Sequence, residues 1–124
     1  MLAYVTLGSN DTEKALAFYD GFMAELGAKR LFDNQRLYFY GTGPATPMLA
    51  IGGTYDEKEA TCGNGVMPAL AAPDRETVDR AYAKAIELGA VDDGPPGERV
   101  PGMFYGAYFR DPDGHKICVC KMGG

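Results

Sequence analysis

Long apolar runs, basic clusters and histidine are all scarce in this chain, and each scarcity narrows what it can be. The longest uninterrupted apolar stretches cover only a few of the 124 residues, against the roughly 20 that a membrane-spanning helix requires. No membrane partner is expected. Twelve Lys and Arg stand against 17 Asp and Glu, a net charge of −5 with no basic run, so nucleic acid meets no electrostatic footprint and is not an expected partner. The first residues, Met1-Leu2-Ala3-Tyr4-Val5-Thr6-Leu7, carry no basic n-region and no extended apolar h-region. A cytoplasmic location is therefore expected. Cysteine is limited to Cys62, Cys118 and Cys120, an odd number in a chain large enough to fold without staples, which reads as free thiols. The one histidine, His115, directly follows the turn residue Gly114. It reads as an exposed loop or strand-edge residue, with no nucleophile assembled around it.

What the chain does have is a sequence order stated nearly twice. Residues 2–8 are β-prone, and Ser9-Asn10-Asp11 then offers helix caps, with Glu13 three residues beyond Asn10 as in a capping box. Tyr19, Phe22, Met23 and Leu26 follow helical spacing, and Gly27 is placed to end the helix. In the second half, residues 65–72 read as a strand that Pro68 restricts to an edge, and Asp74 can cap the helix that follows. Val78, Ala81, Tyr82 and Ala85 repeat the stripe, and Gly89 ends it. Leu26-Gly27-Ala28 reappears as Leu88-Gly89-Ala90. Further β-prone segments follow each helix, while 91–102, with Gly94-Pro95-Pro96-Gly97, reads mostly as loop. A repeat near 60 residues suits a βαβββ module, and two such modules pair into a curved sheet with a concave cleft. A ferredoxin-like duplicated sheet is the competing arrangement.

Tyr105-Gly106-Ala107-Tyr108-Phe109-Arg110-Asp111-Pro112-Asp113-Gly114-His115-Lys116-Ile117 closely resembles the final hairpin of the glyoxalase/bleomycin-resistance/dioxygenase (vicinal oxygen chelate) superfamily. Asn10-Asp11 followed by Ala15-Leu16-Ala17-Phe18-Tyr19 resembles the first helix of that family, and Ala72-Pro73-Asp74-Arg75 the opening of the second. The resemblance covers essentially the whole chain. It implies an α+β fold of two paired βαβββ modules forming a curved, mostly antiparallel eight-stranded sheet with helices outside. Module one is expected at about 1–53, a linker at about 54–64 and module two at about 65–121, all in one domain.

Metal-dependent members of that family bring four ligands, usually His, Glu or Gln, onto the concave face. The resemblance matches those positions to Tyr4, Ala50, Met67 and Cys118. Ala offers no donor and Met only a weak soft one, so no metal and no cofactor are expected. By strand parity, Tyr38 and Tyr40 share a face with Tyr4 and Tyr108, and if Phe39 and Phe109 pack on the helices, the Tyr hydroxyls line the cleft. Arg36 then lies towards its rim, where it can meet an acidic ligand group. Cys118 and Cys120 share the concave face as packing thiols. The expected function is metal-free small-molecule binding or sequestration by a homodimer. The alternatives are a lyase, isomerase or dioxygenase-type enzyme acting on a small substrate, or a regulatory or structural dimer with its cleft plugged by aromatics.

Overall fold

Asp11 and Asp74 start the two helices. Each carboxylate accepts the backbone N–H three residues ahead, from Lys14 at 3.2 Å and from Thr77 at 2.8 Å, satisfying donors that a helix start leaves unpaired. In the computed structural model, which describes residues 1–123, helix α1 spans Thr12–Ala24 and α2 spans Arg75–Glu87. Asn10 does not cap, because its side chain is occupied. It donates to the Ala60 carbonyl at 3.0 Å and accepts from the Ala60 N–H at 2.7 Å, pinning the linker. Beyond the helices, Gly27 and Gly89 adopt φ of +73° and +104°, the left-handed conformation that closes a helix at little cost for glycine.

The strands are β1 (Tyr4–Gly8), β2 (Lys29–Asp33), β3 (Leu37–Gly41), β4 (Met48–Gly52), β5 (Ala69–Ala71), β6 (Val91–Val100), β7 (Phe104–Arg110) and β8 (Lys116–Met122). They form two four-stranded sheets of matching topology, β1-β4-β3-β2 and β5-β8-β7-β6. In each, the first strand pairs parallel with the last and the other neighbours are antiparallel. This is the α+β fold of two βαβββ modules, and each module is hydrogen-bonded within itself. Strands β1 and β5 stand at sheet edges, each paired on one side only.

Two expected elements differ. The strand read over 65–72 shrinks to β5, because Pro68 has no N–H and only its carbonyl joins the ladder, accepting from Cys118 N–H at 2.9 Å. The stretch read as loop is a ten-residue strand, β6. Its edge position tolerates Pro95 and Pro96, and three register shifts against β7 absorb the irregular glycines.

Helical spacing decides what is buried. Leu16, Phe18, Tyr19, Phe22 and Met23 from α1 join Val78, Ala81 and Ala85 from α2 in one cluster with Leu7, Leu49, Ile51, Phe109, Ile117 and Val119 from the sheets. The rings of Phe18 and Phe22 lie 5.9 and 5.1 Å from that of Phe109 on β7. The modules thus meet through their helix-bearing faces, and burying this shared apolar surface is the main force joining them. The β7–β8 turn completes the junction. Asp113 Oδ1 accepts the Asn10 N–H at 3.0 Å, and the His115 ring Nε2 lies 2.7 Å from the Gly8 carbonyl oxygen. His115 is therefore buried, contrary to the exposed position expected for it, because the turn folds it back onto β1.

Candidate functional site

Strand pairing settles which side chains face away from the helices. In the first module, Tyr4, Thr6, Leu37, Phe39, Met48 and Ala50 alternate with core residues, and register sets Phe39 opposite Ala50 and Tyr4 opposite Met48. Ala50, Leu37 and Phe39 form a small buried cluster with half-buried Met48, separate from the main core. Above it the rings remain open. Tyr4 meets Phe39 edge-on at 5.1 Å, and Phe32 stacks on Phe39 at 4.6 Å, while Tyr4 and Phe32 stay 49% and 53% exposed.

Tyr38 and Tyr40 lie on the opposite face from the one expected. Tyr40 is fully buried against α1, where its hydroxyl donates to Asp20 Oδ1 at 2.7 Å and reaches the Leu16 carbonyl at 3.3 Å. Tyr38 packs against the same core. The parity of β3 was legible, but the choice of face depended on treating Phe39 as the helix-side residue. The helix side instead takes the Tyr ring that finds a partner for its hydroxyl, and Phe39, with none to satisfy, goes outward.

Arg36 leaves the cleft with them. Its guanidinium donates to the Gly53 carbonyl at 2.8 Å and lies 5.6 Å from the centre of the Tyr55 ring. It lines a polar hollow with Ser9, Asn10 and Lys58 beside the linker, so it serves the linker junction rather than the outward face.

The second module follows the expected parity. Tyr108 pairs with Cys118, and Gly106 with Cys120, on the face opposite Phe109, Ile117 and Val119. Cys118 and Cys120 are buried there, and Tyr108 is half-buried. Met67 lies outside β5, on exposed chain just before Pro68. Two residues that sequence reasoning missed surround Tyr108. The guanidinium of Arg99 and the ammonium of Lys116 lie 5.3 and 5.4 Å from its ring centre. Lys116 was recoverable from the sequence, since the period of two that pairs Cys118 with Cys120 also includes it. Arg99 was hidden inside the stretch read as loop.

A divalent metal at the four matched positions does not fit these side chains. Ala50 has no donor atom, and Met67 offers only a thioether. Burial, reinforced by neighbouring Cys120, pushes the Cys118 thiol up to about 12, so a metal there would have to displace a firmly held proton. Among the described residues, no three His, Cys, Asp or Glu converge on a point that could hold a cation.

The family model for the Glyoxalase/Bleomycin resistance protein/Dioxygenase superfamily matches residues 1–119. A glyoxalase/bleomycin resistance protein from Albidiferax ferrireducens is 37% identical and superimposes with a TM-score of 0.89, each chain covering 98% of the other. A member of the same superfamily from Sphaerobacter thermophilus is 27% identical with a TM-score of 0.68, over 98% of this chain and 96% of its own. A glyoxalase-related enzyme from Fulvimarina pelagi, at 23% identity and a TM-score of 0.74 over 98% and 87%, shares the fold. Among curated proteins, none matches the chain.

Proposed function

Because the chain belongs to the glyoxalase/bleomycin resistance protein/dioxygenase superfamily, we propose that it binds or sequesters a small, partly apolar molecule on its outward sheet faces, without a resident metal, as a cytoplasmic homodimer. One observation carries this reading. Tyr4, Phe32 and Phe39 form a contiguous aromatic surface on a sheet face that no helix covers, with two of the rings half open to solvent. Exposed aromatic surface of this kind is costly to leave in water and suits an apolar ring with a polar tip. The matched ligand positions support the metal-free part, since their side chains suit contact rather than coordination.

The dimer rests on the open edges. Strands β1 and β5 border an apolar hollow of about 340 Å³ lined by Leu2, Val5, Met23, Leu26, Tyr40 and Leu70, among others. A second copy that sets its β5 beside this β1 covers both edges and brings the second-module face, with Tyr108, next to Tyr4 and Phe39. The cleft then belongs to two chains.

Ligand screening by thermal shift, repeated on Tyr4→Ala and Phe32→Ala, tests the reading. Hits are expected to lose about 1 to 2 kcal/mol of affinity in each variant. Hits that bind both variants as tightly as the parent refute the aromatic site. Elemental analysis is expected to give well under about 0.1 metal ion per chain, and a stoichiometric metal would overturn the metal-free part. Sedimentation is expected to show a dimer, and a monomer at all concentrations would remove the shared cleft.

A further inference from the structure

We infer that Arg99 takes an anionic oxygen group, carboxylate or phosphoryl, of the molecule bound in the cleft. The inference rests on the cleft reading above and adds the chemistry of one end of its ligand. On the second-module face, Cys118 is a buried thiol paired across the strands with Tyr108, and the charges beside that ring are positive. A fixed guanidinium stands over the Tyr108 ring at 5.3 Å.

The surroundings of Arg99 are built to keep it there. It folds back along its own strand and donates to the Pro95 carbonyl at 2.6 Å. Two glycines leave the room it occupies: a Cβ at Gly97 would stand 2.7 Å from Nη1, and one at Gly94 would stand 3.3 Å from Nη2 and 2.9 Å from the Tyr108 ring. Gly94 also holds a φ of +147°, which other residues rarely adopt. Both glycines lie opposite Tyr108 and Gly106 in the ladder, so the space they leave opens on the outward face.

The other cations nearby are already neutralised in part. Arg110 and Lys116 share Asp93, at 3.1 and 3.5 Å. Among the described residues, Arg99 makes no salt bridge to a carboxylate, and its other contacts are the Pro95 carbonyl and the face of a ring. In a chain of net charge −5, an exposed guanidinium braced by backbone and aromatic surface, with the Lys116 ammonium 5.4 Å from the centre of the same ring, can make the paired hydrogen bonds that carboxylates and phosphates accept.

Three probes with one ring system separate the possibilities: 2-naphthoate, 2-naphthyl phosphate and neutral 2-naphthamide, titrated into the full chain by calorimetry and by amide chemical shifts. At least one anion is expected to bind about 10-fold or more tightly than the amide, and the stronger anion assigns the group as carboxylate or phosphoryl. Arg99→Met, which keeps the stem and removes the charge, should abolish that preference, weakening the anion about 10-fold or more and the amide far less. Gly97→Ala, which moves the guanidinium without removing it, should reduce the preference while preserving the circular dichroism spectrum. An anion preference that survives Arg99→Met overturns the inference. Equal binding of all three probes to the parent overturns it too, but leaves the cleft standing. If none of the probes shifts the amides of Phe39 or Tyr108, the cleft reading falls with it.

Discussion

The hydroxyl of Tyr19 on α1 donates a 2.6 Å hydrogen bond to Oδ2 of Asp111 in the β7–β8 turn, and both residues are buried. The other oxygen of Asp111 accepts the N–H groups of Asp113 and His115, at 2.9 Å each. One carboxylate therefore shapes the turn and fastens it to the first module. Burial, with Asp111 adding to it, raises the Tyr19 hydroxyl well above its usual range, so it stays a donor at any ordinary pH.

Removing that hydroxyl leaves a buried carboxylate oxygen short of a partner. Tyr19→Phe is expected to destabilise the chain by about 2 kcal/mol, the scale of a lost hydrogen bond to a charged group. Urea unfolding with an unchanged m-value checks it. A change within about 0.5 kcal/mol would mean that water replaces the bond freely.

The three thiols should separate by reactivity. Cys62 is exposed, with its Sγ 3.1 Å from the Asp113 carbonyl, whereas Cys118 and Cys120 are buried. An aromatic disulfide reagent is expected to titrate one thiol in the native protein and three in denaturant. Cys62 itself should react sluggishly, since burial and the nearby Asp111 and Asp113 raise its thiol. Three fast thiols in the native state would contradict the packed second-module face.

Asp20 links stability to acid. Arg30, hydrogen-bonded at 2.8 and 2.6 Å, holds this carboxyl below its usual 3.8, and the Tyr40 hydroxyl helps. A lowered folded value means the contribution is complete above 3.8 and is lost as pH falls through the folded value. The Asp20–Arg30 pair is about half exposed, so the effect is small. Melting temperature should fall less between about pH 5 and pH 2 in Asp20→Asn than in the parent. Equal falls would assign the acid sensitivity to other carboxylates.

Gly52 faces the carbonyl of Arg36 across the β3–β4 ladder, and a Cβ there would stand 1.8 Å from that oxygen. Backbone must move to admit it, so Gly52→Ala is expected to cost more than about 3 kcal/mol or to prevent folding. A variant as stable as the parent would show that β3 and β4 separate easily.

Much of this architecture was legible before any coordinates. The duplicated Leu-Gly-Ala, the helical stripes and the Asp-Pro-Asp-Gly turn each rest on local chemistry, and local chemistry placed both helices and the final hairpin. The first-module face was not legible, because alternation shows that Tyr40 and Phe39 point opposite ways without showing which way is inward. That depended on Asp20 and the Leu16 carbonyl meeting the Tyr40 hydroxyl, a contact between elements. Arg99 was missed for a similar reason. Its place depends on β6 continuing through two prolines, which only its edge position against β7 permits.

The β7–β8 turn also bears on how the chain is made. Its bonds to Asn10, Tyr19 and Gly8 span 103, 92 and 107 residues, so the end of β1 and the helix α1 are secured by a turn made much later in the chain. During synthesis, Phe18 and Phe22 on α1 gain the part of their packing that Phe109 supplies only after β7 has been made. The apolar face of α1 is thus completed by the closing hairpin of the second module, and not by the first module's own strands alone.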